Sequence, residues 1–103
     1  MKDQEGYRIV AEFSIHPLGE GTSVSRYVRS ALEALRKAKG VRLMVNPMGT
    51  VIEAKSLSDL LAAVQTAHES VFREGAKRVA FTLSVDDRRD KKRRMEDKVA
   101  AVS

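Results

Sequence analysis

Val41-Arg-Leu-Met-Val-Asn-Pro-Met-Gly-Thr-Val-Ile-Glu53 is the stretch that decides how this chain folds. Val41, Leu43 and Val45 alternate with Arg42, Met44 and Asn46, the period of two expected of a strand with one buried face. Pro47 fixes φ and Gly49 permits φ > 0, so Asn46-Pro47-Met48-Gly49 turns the chain. Thr50-Val51-Ile52 then resumes a β-branched run that ends in Glu53. Two strands joined by so short a link lie antiparallel. An amide, a hydroxyl and a carboxylate (Asn46, Thr50 and Glu53) are expected to gather near one end of this hairpin, the most site-like constellation in the sequence.

Upstream of the hairpin, Arg8 to His16 reads as a first strand, with Ile9, Ala11, Phe13 and Ile15 on one face and Val10, Glu12, Ser14 and His16 on the other. Pro17-Leu-Gly-Glu-Gly21 ends it. Thr22 and Ser23 are candidate N-caps for a helix to about Lys39, with Tyr27, Val28, Ala31, Leu32 and Leu35 as its apolar stripe and Gly40 as its C-cap.

Downstream, Ser56 or Ser58 caps a second helix. Its expected apolar face is Leu57, Leu60, Leu61, Val64, Ala67, Val71 and Phe72, and Gly75 closes it. Lys77 to Val85 is the last strand, with Val79, Phe81, Leu83 and Val85 on one face. Asp86 to Asp90 reads as a charged turn. The C-terminal segment 88–102 is expected to be helical, its periodic part running from Lys91 to Val102 on Met95, Val99 and Val102.

The order β-α-β-β-α-β with right-handed crossovers predicts an α+β, ferredoxin-like sandwich: a four-stranded antiparallel sheet with both helices on one face and an extra C-terminal helix. Residues 1–103 form one domain, too short for a second core. The uncovered face collects Glu12, Ser14, Met44, Asn46, Ala80, Thr82 and Ser84, small or polar groups with few long charges. Small side chains let another sheet approach, and this face or the adjacent edge is expected to form a homo-oligomer.

Net charge is +5, but much of the basic density between Arg88 and Lys98 is interleaved with acids and reads as a solvated helix rather than a nucleic-acid site. RNA-recognition modules of this topology stack bases on sheet aromatics. Here the segment Thr50 to Ala54 has no aromatic, and Phe13 is in phase with the helix-facing set, so no nucleic-acid partner is expected. No apolar run approaches the roughly 20 residues that span a bilayer, and the polar start, Met1 to Gly6, is unlike a secretory signal, so a cytoplasmic location without membrane contact is expected. The sequence has no cysteine, which removes thiolate chemistry and disulfides.

Neither His16 nor His68 has a neighbour suggesting a catalytic triad, and no nucleophile elbow is present, so no catalytic residue is assigned. His16 sits at a strand end, where it either lines a pocket or is a plain surface histidine. Asp86, Asp87 and Asp90 lack the spacing of a calcium loop and read as ion-pair partners, so no metal site is expected. Gly19 and Gly21 precede a helix without forming a phosphate-binding fingerprint.

Three blocks in order, Ile15 to Val28, Asn46 to Glu53 and Val85 to Lys91, resemble the small single-domain thiamine-binding protein family, once a domain of unknown function. The resemblance covers about Arg8 to Val102. It implies a ferredoxin-like fold, dimers that pair into tetramers, and thiamine or its hydroxymethylpyrimidine portion bound near subunit interfaces, with no established catalysis and no cofactor beyond that ligand. Thiamine offers an aminopyrimidine edge and a cationic thiazolium. Placed on the motif positions, Glu53 or Glu12 would accept from the amino group or offset the cation. Asn46, Thr50, Ser23 and Ser25 would read ring nitrogens, and Met48 would supply a polarizable wall. The other readings are a regulatory module for a different small metabolite and a structural interaction module using the C-terminal helix.

Overall fold

The computed structural model describes residues 7–90 and 95–103. The elements follow as β1 (Ile9–Pro17), α1 (Ser25–Arg36), β2 (Val41–Asn46), β3 (Gly49–Ala54), α2 (Leu57–Arg73), β4 (Val79–Asp87) and α3 (Met95–Val102). All strand pairs are antiparallel and the sheet order is β2-β3-β1-β4. This is the ferredoxin-like α+β arrangement with an added C-terminal helix.

The strand alternation sorts the faces as the period of two demands. Ile9, Ala11, Phe13, Ile15, Ile52 and Ala54 are buried beneath Tyr27, Ala31 and Leu35 of α1 and Leu60, Ala63, Val64, Ala67 and Val71 of α2. Both helices therefore cover one side of the sheet. Phe13 is buried there, so it is not displayed for stacking.

Several local expectations are corrected. The first helix stops at Arg36 rather than Lys39. Its N-cap is Val24 with no side-chain cap bond, so Thr22 and Ser23 do not cap it. Gly40 is not the C-cap, which is Lys37. It instead takes φ +74° between α1 and β2, and an added Cβ would run into the Asp59 carboxyl. The second helix is capped by Ser56, whose Oγ accepts from the Asp59 N–H at 3.0 Å. Leu57, Leu61 and Phe72, expected in its apolar face, are exposed; Phe81 and Val85 are exposed too, because β4 is an edge strand and one flank of each side chain meets solvent.

The last strand begins at Val79, and Asp86 and Asp87 belong to it rather than to a turn, paired with Val10 and Ile9. Asp87 lies beside Arg89 at 2.9 Å and Arg8 at 3.4 Å. The hydrogen bond from Arg89, helped by both positive charges, holds its carboxyl below the usual range. Residues 88–90 are not helical, and helix α3 begins at Met95 among the described residues. The expected helical start at residues 91–94 lies outside them.

Candidate functional site

A cleft of about 510 Å³ opens between α1 and the β2–β3 turn. Phe13 and Ile15 of β1 border it, with Val24, Val28, Ala31, Leu32 and Leu35 along α1, and residues 45–50 of the hairpin close its far side. The walls are mostly aliphatic. Polar groups are few: Asn46, Thr50, Ser14 and His16. A concave, largely apolar space of this size with a handful of polar atoms is what small-molecule sites are made of.

Local sequence explains the shape. The turn is only Pro47 and Met48, since Asn46 pairs with Gly49 across it. Thr50 pairs with Phe13 and Val45. Its position places it on the helix side of the sheet, where it is buried. Met48 stands at the tip, 89% exposed. Gly49 sits where an added Cβ would lie 3.3 Å from the Phe13 carbonyl oxygen, so a side chain there would crowd β1.

Of the seven residues expected at a site, Asn46, Met48 and Thr50 border this cleft together. Ser23 and Ser25 are exposed on either side of Val24, which does line it. Glu12 is on the opposite face of the sheet, in a shallower recess shared with Val10, Val51, Ser84, Asp86 and Lys98. Glu53 does not join Asn46 and Thr50 at one end of the hairpin. It pairs with Arg42 and Val10, toward the end away from the turn, and on the other face from Thr50.

Glu53 is fully buried because α3 lies against that end of the open face. Its Oε1 accepts from Arg42 Nε at 2.5 Å, and its Oε2 accepts from the Met95 N–H at 2.7 Å. Arg42 reaches on to Glu96 at 3.0 Å, and Lys98 pairs with Asp86. Burial pulls the Arg42 guanidinium down, but hydrogen bonding and charge from Glu53, then Glu96, outweigh it and raise it overall. A carboxylate at the first turn of a helix also faces the positive end of its dipole. The geometry makes Glu53 an anchor for α3.

Sequence reasoning missed Phe13, Ile15, Val24, Val28 and Leu35 as cleft residues, because an amphipathic stripe looks the same whether it fills a core or borders a hollow. His16, at its strand end, carried the one usable signal. Among the described residues no cluster of His, Asp or Glu has the arrangement of a metal site. No described helix is long and apolar enough to cross a membrane.

The chain is 48% identical over 95 residues to a UPF0045 protein of Methanothermobacter thermautotrophicus, covering 91% of this chain and 95% of that one. The crystal structure of the hypothetical protein MJ1052 from Methanocaldococcus jannaschii superposes with a TM-score of 0.83 at 41% identity, over 91% of this chain and 94% of the other. A candidate thiamine biosynthesis/salvage protein from Thermotoga maritima shares the fold at 19% identity and TM-score 0.75, over 92% of this chain and 98% of that one. The sequence profile described as thiamine-binding protein matches residues 11–103. On that match, over nearly the whole described fold, the chain belongs to the thiamine-binding protein family.

Proposed function

We propose that this protein binds thiamine, or its hydroxymethylpyrimidine portion, in the cleft between α1 and the β2–β3 turn, and does so as a non-enzymatic homo-oligomer serving as a cytoplasmic carrier, buffer or sensor. The observation that carries this reading is the cleft itself, aliphatic and about 510 Å³, with Asn46 and Thr50 on the same wall, in a chain of this family. A flat aminopyrimidine needs apolar faces above and below and a few in-plane donors and acceptors. Val28, Leu32 and Met48 are placed to supply the faces, and the Asn46 amide and Thr50 hydroxyl the edge contacts.

No Asp or Glu borders the cleft among the described residues. The thiazolium cation is therefore assigned to the mouth, near exposed Ser23 and Ser25, where water or a neighbouring subunit meets it. Glu12, exposed on the open sheet face, can act on a ligand only across a subunit interface in this reading, and dimers that pair into tetramers would supply one. Glu53 has no direct role, since its two oxygens already hold Arg42 and α3.

Isothermal titration of the full chain with thiamine and with hydroxymethylpyrimidine tests the proposal. Binding by either, weakened roughly tenfold by Asn46→Ala or by Thr50→Val, is expected for one lost hydrogen bond to a buried polar group. No heat and no thermal stabilisation with both ligands would exclude it, because a ligand that binds only the folded state must raise the melting temperature.

A further inference from the structure

The β1–β3 ladder stops before β1 does. Its last pair is Phe13 with Thr50, whereas β1 runs on to Pro17 beside β4. Continuing the register would set Ile15 against Met48, but Met48 lies in the two-residue turn and stands 89% exposed. The hairpin therefore reverses where β1 still has groups to offer, and Ser14, Ile15 and His16 border the cleft at that point.

The backbone decides what is offered there. Leu18 N–H donates to the Arg78 carbonyl and Arg88 N–H to the Arg8 carbonyl, so even-numbered residues of β1 direct their main-chain groups at β4. Odd-numbered ones direct theirs at β3, where Ile9, Ala11 and Phe13 meet Ala54, Ile52 and Thr50. Ile15 is next in line, and no described backbone group pairs with it on that side. One N–H and one C=O of a buried residue, pointing the same way, are turned toward the cleft. Water reaches them only through the cleft, and a guest that displaces it must replace both hydrogen bonds.

This gap in the ladder is one residue long, and its length selects the guest. Pro17, the next odd position, has no N–H, and Phe13 is already taken by Thr50. A peptide strand would gain a single pair here, whereas strand addition draws its affinity from a run of main-chain bonds. A flat heterocycle with an acceptor nitrogen beside an amino group needs only that one pair.

We infer that the main chain of Ile15 reads the aminopyrimidine edge. The Ile15 N–H donates to the ring nitrogen, and the exocyclic amino group donates to the Ile15 carbonyl. The ring takes the place of the strand residue that the turn withholds, which leaves Asn46 and Thr50 for the other ring nitrogen and the hydroxymethyl group. This assignment rests on the reading of the cleft as a thiamine or hydroxymethylpyrimidine site and adds the residue that orients the ligand in it.

Isoleucine occurs only as Ile9, Ile15 and Ile52, so isoleucine carrying nitrogen-15 and a carbonyl carbon-13 places three reporters in the full chain. Ile15→Val identifies the Ile15 signals by their loss. Hydroxymethylpyrimidine is titrated into the labelled protein, with calorimetry on the same sample. The Ile15 amide proton and carbonyl carbon are expected to move downfield together, and its amide exchange with deuterium to slow at least tenfold. Ile52, already paired with Ala11, should hold still. The 4-oxo analogue of the ligand, which swaps donor for acceptor along that edge, is expected to bind at least tenfold more weakly. Heat of binding with the Ile15 signals unmoved, or equal affinity for the analogue, overturns the main-chain assignment and leaves the cleft reading standing. No heat and no movement of any signal at millimolar ligand overturns both.

Discussion

Glu53 carries a carboxylate out of water and is held there by a guanidinium on one oxygen and a helix-terminal amide on the other. Removing the carboxylate leaves the buried Met95 N–H without its acceptor and Arg42 held by Glu96 alone, which costs more than the pair contributes. Glu53→Ala is therefore expected to lose about 3 kcal/mol of stability. Glu53→Gln, which keeps an oxygen for the Met95 N–H, should lose less. Both should leave thiamine affinity unchanged in the folded protein, because Glu53 does not border the cleft. Denaturant melts paired with titration calorimetry separate the two effects. Thr50 and Glu53 are three residues apart on one strand and so fall on opposite faces, which the expectation of a shared site at one end of the hairpin did not weigh. What the alternation in Val41 to Glu53 could not reveal is that a helix some forty residues later would land on Glu53, since nothing local encodes that contact.

At the scale of elements, the two long helices begin differently. Ser56 caps α2 through the Asp59 N–H, and its loss in Ser56→Ala is expected to cost about 1 kcal/mol, a fall of roughly 4–8 °C in melting temperature for a domain of this size. Ser23→Ala, next to a helix whose cap is Val24, should stay within about 0.5 kcal/mol of the parent. Thermal melts of the two variants side by side check the contrast. The element order, the ferredoxin-like antiparallel arrangement and the helix-facing side of each strand were legible, because period-two alternation and a two-residue turn leave few topologies. Element ends were less so. Asp86 and Asp87 look like a turn until Val10 and Ile9 are found opposite them, and Thr22 and Ser23 look like caps until the glycine loop is seen to bring the chain in at Val24.

The whole molecule presents different surfaces at the two opposite edges of one sheet. The β2–β3 side, with α1, surrounds the cleft, while the β4 side presents the outer strand of the described sheet and the ring contacts of Phe72, Phe81 and His68. The exposure of Phe81 and Val85 followed from strand order, which hydrophobic spacing alone does not weigh. The cleft was legible only at its polar rim, in Asn46, Met48 and Thr50, and at His16. The turn that closes it is two residues long and stands out from the body of the protein, with Met48 at its tip almost wholly in water. A guest seated between that tip and α1 would act as a cross-brace, tying the exposed turn to a helix packed on the core. Amide protons over residues 45–50 should then exchange with deuterium more slowly when thiamine is present, while those of β4, on the far margin, keep their free-state rates.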